Sequence, residues 1–178
     1  WAREERYKYL RNLAAETKSD WIMTGHHCND NAETVLMNLS RQAGVNGLSG
    51  IPQKNKKIIR PLLPFLKKDL CDYVERVGLP FKNDSTNSDI SIPRNFIRKK
   101  VLKPWELKVP SVIKSIYKST QFFNEWKQSL DHLLIKFIIN KLVIFDDRID
   151  IPLDLINDLP NLGKIRLIQV LFYQEKKL

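Results

Sequence analysis

Residues 21–39, WIMTGHHCNDNAETVLMNL, decide the fold. A short apolar run from Trp21 to Met23 ends at Gly25, polar side chains crowd the next positions, and apolar residues then return at helical spacing. That pattern is a buried strand turning into a helix that starts near Asn29 or Asp30. Working outward, residues 2–17 read as a helix with Tyr7, Leu10, Leu13 and Ala14 on one face. AGVNGLSGIP is a glycine-punctuated loop, and KIIRPLLP is a second short strand closed off by Pro61. KKDLCDYVERVG is an amphipathic helix with Leu70, Tyr73, Val74 and Val77 inward and Gly78 as its C-cap. Strand, helix, strand and helix in this order predict an α/β fold with parallel strands.

Residues 81–93 are polar and loop-like, and RNFIRKKVLKPW opens a basic helix. Pro104 and Pro110 bracket a linker, and residues 111–140 form one or two long helices. LVIFDDRIDI reads as a β-hairpin turning at Asp146 and Asp147, and NLGKIRLIQVLFYQ as a closing helix. The expected organisation is an α/β part over 1–103, a linker over 104–110 and a mainly helical domain over 111–178.

At 178 residues and 43% hydrophobic composition the chain can bury a real core, which excludes wholesale disorder. No apolar run approaches the roughly 20 residues that span a bilayer. The charged opening WAREERYKYLRNLAAE lacks the apolar segment of a signal peptide, and the first residue is not Met. A piece of a longer polypeptide is therefore expected. Cys28 and Cys71 form no CxxC pair, so a reducing, cytoplasmic setting is the default. The net charge of +10 is uneven, with 19 Lys and Arg against 11 Asp and Glu in residues 1–103. Such an excess favours a polyanionic partner, although solubility alone accounts for it equally well.

Ligands of parallel α/β sheets sit beyond the carboxyl ends of the strands, where the next helix offers unpaired N–H groups to an anion. His26 and His27 fall at that end, and Asp30 and Glu33, three residues apart, share a helix face. Two carboxylates there suit a cation, either an ammonium group or Mg²⁺ carried by a nucleotide. A transition-metal site built from one histidine with Asp30 and Glu33 is a second reading. A polar cap, with Asn29 or Asp30 as N-cap and Glu33 reaching back, is the third. Residue types and spacing leave all three open.

Four blocks together carry a more specific signal: GHHCNDNAETVLMNLSRQAGVNGLSGI, IIRPLLPF, DSTN and IPRNFIRKKVLKP. Their order and spacing resemble those of tRNA(Ile)-lysidine synthetases, members of the N-type ATP pyrophosphatase (PP-loop) family. The resemblance covers residues 1–104 and continues more weakly through IDIPLDLINDLPNLGKIRLIQVLF. It implies the C-terminal part of a Rossmann-like parallel-sheet ATP pyrophosphatase domain, followed by a helical substrate-binding domain. The implied reaction uses ATP and Mg²⁺ to adenylate the C2 oxygen of the wobble cytidine in an isoleucine tRNA with a CAU anticodon. The ε-amine of L-lysine then displaces AMP. A homodimer is among the assemblies expected.

Carried over by position, Asp30 and Glu33 match the family's catalytic acidic pair, and Asp30 is the residue that would meet Mg²⁺. His26, His27, Asn29 and Arg60 would line the nucleotide and lysine side. Arg94, Asn95 and Arg98, with Lys99 and Lys100, would face the tRNA. For Arg60 a salt bridge at the strand edge is the purely structural role, and for the two lysines it is a solvated face. The family's Ser-Gly-Gly-x-Asp-Ser loop does not occur in these residues and is expected upstream of residue 1. The polypeptide alone is therefore expected not to make lysidine. A tRNA 2-thiocytidine synthetase, which would need cysteines around an iron–sulfur cluster, is the competing enzyme. A catalytically silent tRNA-binding module and a metallohydrolase also compete.

Overall fold

The computed structural model describes residues 2–81, 89–138, 141–145 and 148–175. The DSTN block at 84–87 and the hairpin turn at Asp146 and Asp147 lie outside the described residues. Packing divides the chain into two compact units, Trp1–Phe123 and Asn124–Leu178.

The first unit is built on a small mixed sheet. Strand β1 (Ile22–Met23) pairs in parallel with β3 (Ile58–Ile59), and β2 (Lys54–Asn55) pairs antiparallel on the far side of β3. The predicted parallel pairing of the two apolar runs is therefore present, with Ile22 opposite Ile58. Helix α1 (Ala2–Glu16) precedes β1, α2 (Cys28–Leu39) follows it, and the short α3 (Val45–Leu48) lies within the glycine-rich loop. Helix α4 (Lys67–Val77) ends on Gly78, whose φ of 71° gives the left-handed cap expected of that glycine. Its inward face is narrower than the apolar pattern suggests. Leu70 and Val74 are half-buried, whereas Tyr73 and Val77 are exposed. On α1, similarly, Ala14 is buried and Leu13 is exposed.

Helix α5 (Pro93–Phe96) runs into a π-helical turn, Ile97–Leu102, and then into α6 (Lys103–Lys108), which occupies most of the segment expected as a linker. Pro104 explains the widened turn. It has no N–H for the carbonyl of Lys100 and its ring crowds that carbonyl, while the N–H of Lys103 bonds to the carbonyl of Arg98, five residues back. Leu102 thereby enters the core with Cys28, Ala32, Val112 and Ile113. Residues 111–140 supply one long helix, α7 (Val112–Ile138).

The second unit contains the predicted hairpin, β4 (Val143–Ile144) against β5 (Ile149–Asp150), then α8 (Leu153–Asn157) and α9 (Asn161–Glu175). Leu134 and Leu167 are buried together, with Leu142, Leu155, Leu159 and Leu171 around them. A bidentate pair from Arg166 to Asp131 closes over this cluster, with Nε to Oδ1 at 2.6 Å and Nη2 to Oδ2 at 2.5 Å. No helix among the described residues is long and apolar enough to cross a membrane.

One buried side chain ties the first unit together. Asn31 is fully buried; its Oδ1 accepts from the N–H of Ile51 at 2.7 Å and its Nδ2 donates to the Thr120 hydroxyl at 3.1 Å. Gly50 makes the first bond feasible. At φ 67° it sits so close that a Cβ there would lie 2.2 Å from Asn31 Oδ1. Gly50→Ala therefore combines backbone strain with a lost buried hydrogen bond, and should cost about 2–4 kcal/mol. Gly163→Ala, whose Cβ would meet only ordinary contacts at 3.6 Å in α9, should be neutral or stabilising by about 0.5 kcal/mol. Urea titration of both variants, read as shifts in midpoint at constant slope, checks the pair.

Candidate functional site

Helix α2 begins one or two residues earlier than the sequence suggests, because the cap is a histidine. His27 has extended backbone and its Nδ1 accepts from the N–H of Asp30 at 3.3 Å, while Asp30 Oδ2 accepts from the N–H of His27 at 3.0 Å. This reciprocal box is the one expected from Glu33, moved forward by one turn. It makes Nδ1 an acceptor, so the ring proton belongs on Nε2. Burial lowers the His27 pKa below its usual value, and the Asp30 charge opposes that shift without cancelling it.

Another donor at the mouth of α2 is also taken. The N–H of Cys28 bonds to the carbonyl of Phe65 at 2.9 Å. The open anion site expected at this helix end is therefore largely closed by the protein itself. Asn29, expected near the nucleotide, points its Oδ1 at the N–H of Lys67 at 2.8 Å and so caps the first turn of α4. Cys28 is buried with its thiol 3.6 Å from the carbonyl of Ile113, and burial raises its pKa to about 11. It is a core residue, not a nucleophile.

Glu33 is only 1% exposed. Arg98 grips it with Nε to Oε1 at 2.5 Å and Nη2 to Oε2 at 3.0 Å, and Arg94 adds Nε to Oε2 at 2.6 Å. Arg94 also donates Nη2 to Asp30 Oδ1 at 3.1 Å and to the Asp30 carbonyl at 3.4 Å. The spacing of four residues places both arginines on one face of the α5–π segment, and Glu33 holds the Arg98 guanidinium charged, raising its pKa. Both Glu33 oxygens and both Asp30 oxygens thus have protein partners.

Among the described residues no three His, Cys, Asp or Glu side chains converge as a metal site. With Asp30 bound to Arg94 and to the His27 backbone, the acidic pair does not fit a resident Mg²⁺ or transition metal.

A cleft of about 620 Å³ opens beside this cluster, at the carboxyl end of β1. Its lining comes from Thr24, Gly25 and His26 just after β1, from Asp30, Arg94, Asn95 and Arg98, and from Arg6, Tyr7 and Leu10 of α1. His26 Nδ1 lies 2.9 Å from the Thr24 hydroxyl. Asn95 is buried and holds the carbonyl of Asp89 at 2.8 Å. Lys99 is half-buried and Lys100 exposed. Arg60 is 4% exposed and donates Nη1 to the carbonyl of Pro52 at 2.7 Å, while its Nε has no partner among the described residues. Its bond is to a carbonyl rather than to the carboxylate of a salt bridge. Sequence pattern does not single out Arg6, Tyr7 and Thr24 as site residues, since nothing local marks a helix residue as facing a distant strand end. The period of α1, which puts Tyr7, Leu10 and Ala14 on one face, is the available signal.

One family and three individual proteins are similar to this chain. The PP-loop domain family matches residues 1–105. The tRNA(Ile)-lysidine synthase of Chlorobaculum tepidum is 46% identical over 101 residues, covering 57% of this chain and 30% of the relative. That of Nitrosomonas europaea is 34% identical over 139 residues, covering 74% and 30%. That of Bacteroides thetaiotaomicron is 32% identical over 155 residues, covering 85% and 36%. The matched stretch spans about a third of the length of these curated relatives.

Two outcomes test the local chemistry. Truncating the buried carboxylate in Glu33→Ala leaves two guanidiniums facing each other and should destabilise the first unit by about 3–5 kcal/mol by urea unfolding. For His27, the folded pKa lies below the unfolded value of about 6.5. The unfolded chain therefore binds the extra proton first, and stability falls as pH drops from about 6.5 toward the depressed folded value. His27→Asn, which caps without titrating, should remove that component of the pH dependence in urea midpoints measured between pH 7.5 and 5.5.

Proposed function

The chain belongs to the PP-loop ATP-binding family, and from that premise we propose that it forms part of an enzyme that modifies tRNA by ATP-dependent ligation of L-lysine to the wobble cytidine of an isoleucine tRNA. The observation that carries this reading is the cluster of Asp30 and Glu33 with Arg94 and Arg98, set beside a cleft at the carboxyl end of a parallel strand. The names of the relatives support the choice of reaction.

The reaction places defined demands on such a cleft. The cytidine O2 attacks the α-phosphorus of ATP and pyrophosphate leaves. The lysine ε-amine, having lost a proton, then attacks C2 to form the C2–N bond, and the C2–O bond breaks as AMP leaves with that oxygen. Negative charge on the phosphates and on the departing AMP calls for fixed cations, and Arg94 and Arg98 are held in place by Glu33 for that purpose. Glu33, nearly inaccessible, acts through the arginines as a positioning residue. Asp30 keeps one face toward the cleft and is the group suited to orient the lysine ammonium and accept its proton. Lys99 and Lys100 extend the basic surface toward tRNA phosphates. In the domain reading, residues 1–103 contribute to catalysis and residues 111–178 to substrate binding, and the protein works in the cytoplasm.

ATP-dependent incorporation of radiolabelled lysine into tRNA is the test, in the enzyme extended upstream to include a Ser-Gly-Gly-x-Asp-Ser loop. Asp30→Asn and Arg94→Ala should each lower turnover about 100-fold, with tRNA retained on filters within about threefold. Lys100→Ala should weaken filter binding and reduce its salt slope by about one. The 178-residue chain by itself should give no incorporation. Intact turnover in both site variants, with only binding weakened, would identify a tRNA-binding module instead.

A further inference from the structure

We infer that a second surface of the first unit, at the end of β1 opposite the cleft, holds the phosphate backbone of the tRNA substrate; this rests on the lysine-ligating reading above. The surface is a pocket of about 470 Å³ between α1 and the β2–β3 hairpin. It lies at the amino end of β1, where the N–H of Ile22 bonds to the carbonyl of Lys57 at 2.8 Å. Arg11, Lys56 and Lys57 line it, all three are exposed, and no carboxylate belongs to the lining. None of these cations forms an ion pair among the described residues. Lys56 stands there against local preference. The two-residue turn Lys56–Lys57 joins Asn55 to Ile58, and Lys56 takes a φ of 53°, a left-handed value that favours glycine or asparagine. The turn thus keeps a charged side chain where a neutral residue would be less strained.

The chemistry of the lining selects the ligand. Lysines are point charges on flexible stems and do not build a fixed cage for a small anion. Phosphates repeated along a nucleic-acid strand suit cations spread over two elements. Ala14, Ile22 and Ile58 supply apolar surface among the cations, against which ribose carbons can rest. Ligands that undergo chemistry on a parallel sheet bind at its carboxyl end, so an anion held at the amino end is held for position. Helix α1 joins the two places. Tyr7 at the cleft, and Arg11, Ala14 and Ala15 at the pocket, follow one helix face, with Tyr7 and Ala14 roughly 10 Å apart along the axis. A tRNA whose wobble nucleotide enters the cleft has further phosphates close enough to meet Arg11 and the hairpin.

The experiment uses the upstream-extended enzyme and a triple variant carrying Arg11→Ala, Lys56→Ala and Lys57→Ala. Filter binding of tRNA over a series of salt concentrations should show a slope reduced by about two to three, and binding weakened about 10–100-fold at low salt. In lysine incorporation the KM for tRNA should rise by a similar factor, while kcat and the KM values for ATP and lysine stay within about twofold. Backbone contacts carry no sequence information, so a non-cognate tRNA should lose binding by the same factor. Lys56→Gly separates the fold from the contact. It should raise the urea midpoint by relieving the turn, yet still lower the salt slope by about one. Lys56→Arg should keep the slope. An unchanged tRNA KM and salt slope in the triple variant overturn the assignment, and so does a loss of kcat at unchanged KM. Absence of incorporation by the wild type removes the lysine-ligating reading, and the filter-binding slopes then decide the surface by themselves.

Discussion

Burying the carboxylate of Glu33 is the constraint around which the first unit is organised. An ionised carboxylate taken out of water costs several kcal/mol unless charge and hydrogen bonds replace the water. Here both arrive from Arg94 and Arg98, 61 and 65 residues further along the chain. The α5–π segment must therefore dock on α2, and Pro104 adjusts it so that Leu102 reaches the core that Cys28 and Ala32 of α2 also enter. One face of α2 carries charge and another carries the apolar core, and both faces meet the same returning segment. A helix used in this way cannot slide or rotate without breaking an ion pair or opening a cavity. That fixes the position of Asp30 at the cleft.

A second economy follows from the small sheet. No described strand is longer than two residues, so ladder hydrogen bonds alone cannot hold the surrounding loops. Three asparagines of α2 take over that task by bonding to the backbone of other elements. Asn29 receives the N–H of Lys67, Asn31 that of Ile51, and Asn38 donates to the carbonyl of Gly47 at 2.9 Å. Asparagine suits this role because its amide offers both donor and acceptor without a charge to bury. The polar face of α2 is thus largely internal scaffolding, and Asp30 is the α2 residue that lines the cleft.

The sequence disclosed the elements more readily than their use. The two apolar runs, the left-handed Gly78 cap and the long helix after Pro110 were legible because each depends on local periodicity or turn chemistry. The start of α2 was misplaced because histidine is an uncommon cap, and its ability to act as one depends on the imidazole staying neutral in a buried position. The π turn was hidden because Pro104 reads as a helix stop when the segments around it are unknown. Asn29 is a sharper case. In sequence it belongs to a polar cluster that suggests a ligand, and only the approach of α4, 38 residues away, turns it into a cap. Spacing along one helix cannot reveal which partner comes from another.

The same distinction bears on what kind of anion recognition this site can perform. A helix mouth that keeps its N–H groups free binds phosphate through backbone alone and tolerates almost any side chains nearby. Here His27, Asp30 and the carbonyl of Phe65 close much of the mouth, and the cations that line the cleft beside it include guanidinium groups whose positions are set by carboxylates. Guanidinium recognition is directional, and at Arg94 and Arg98 the direction is imposed by Glu33 from beneath. The buried acid therefore contributes most by remaining inaccessible. Were it open to the cleft, it would compete with an anionic ligand for the same two cations.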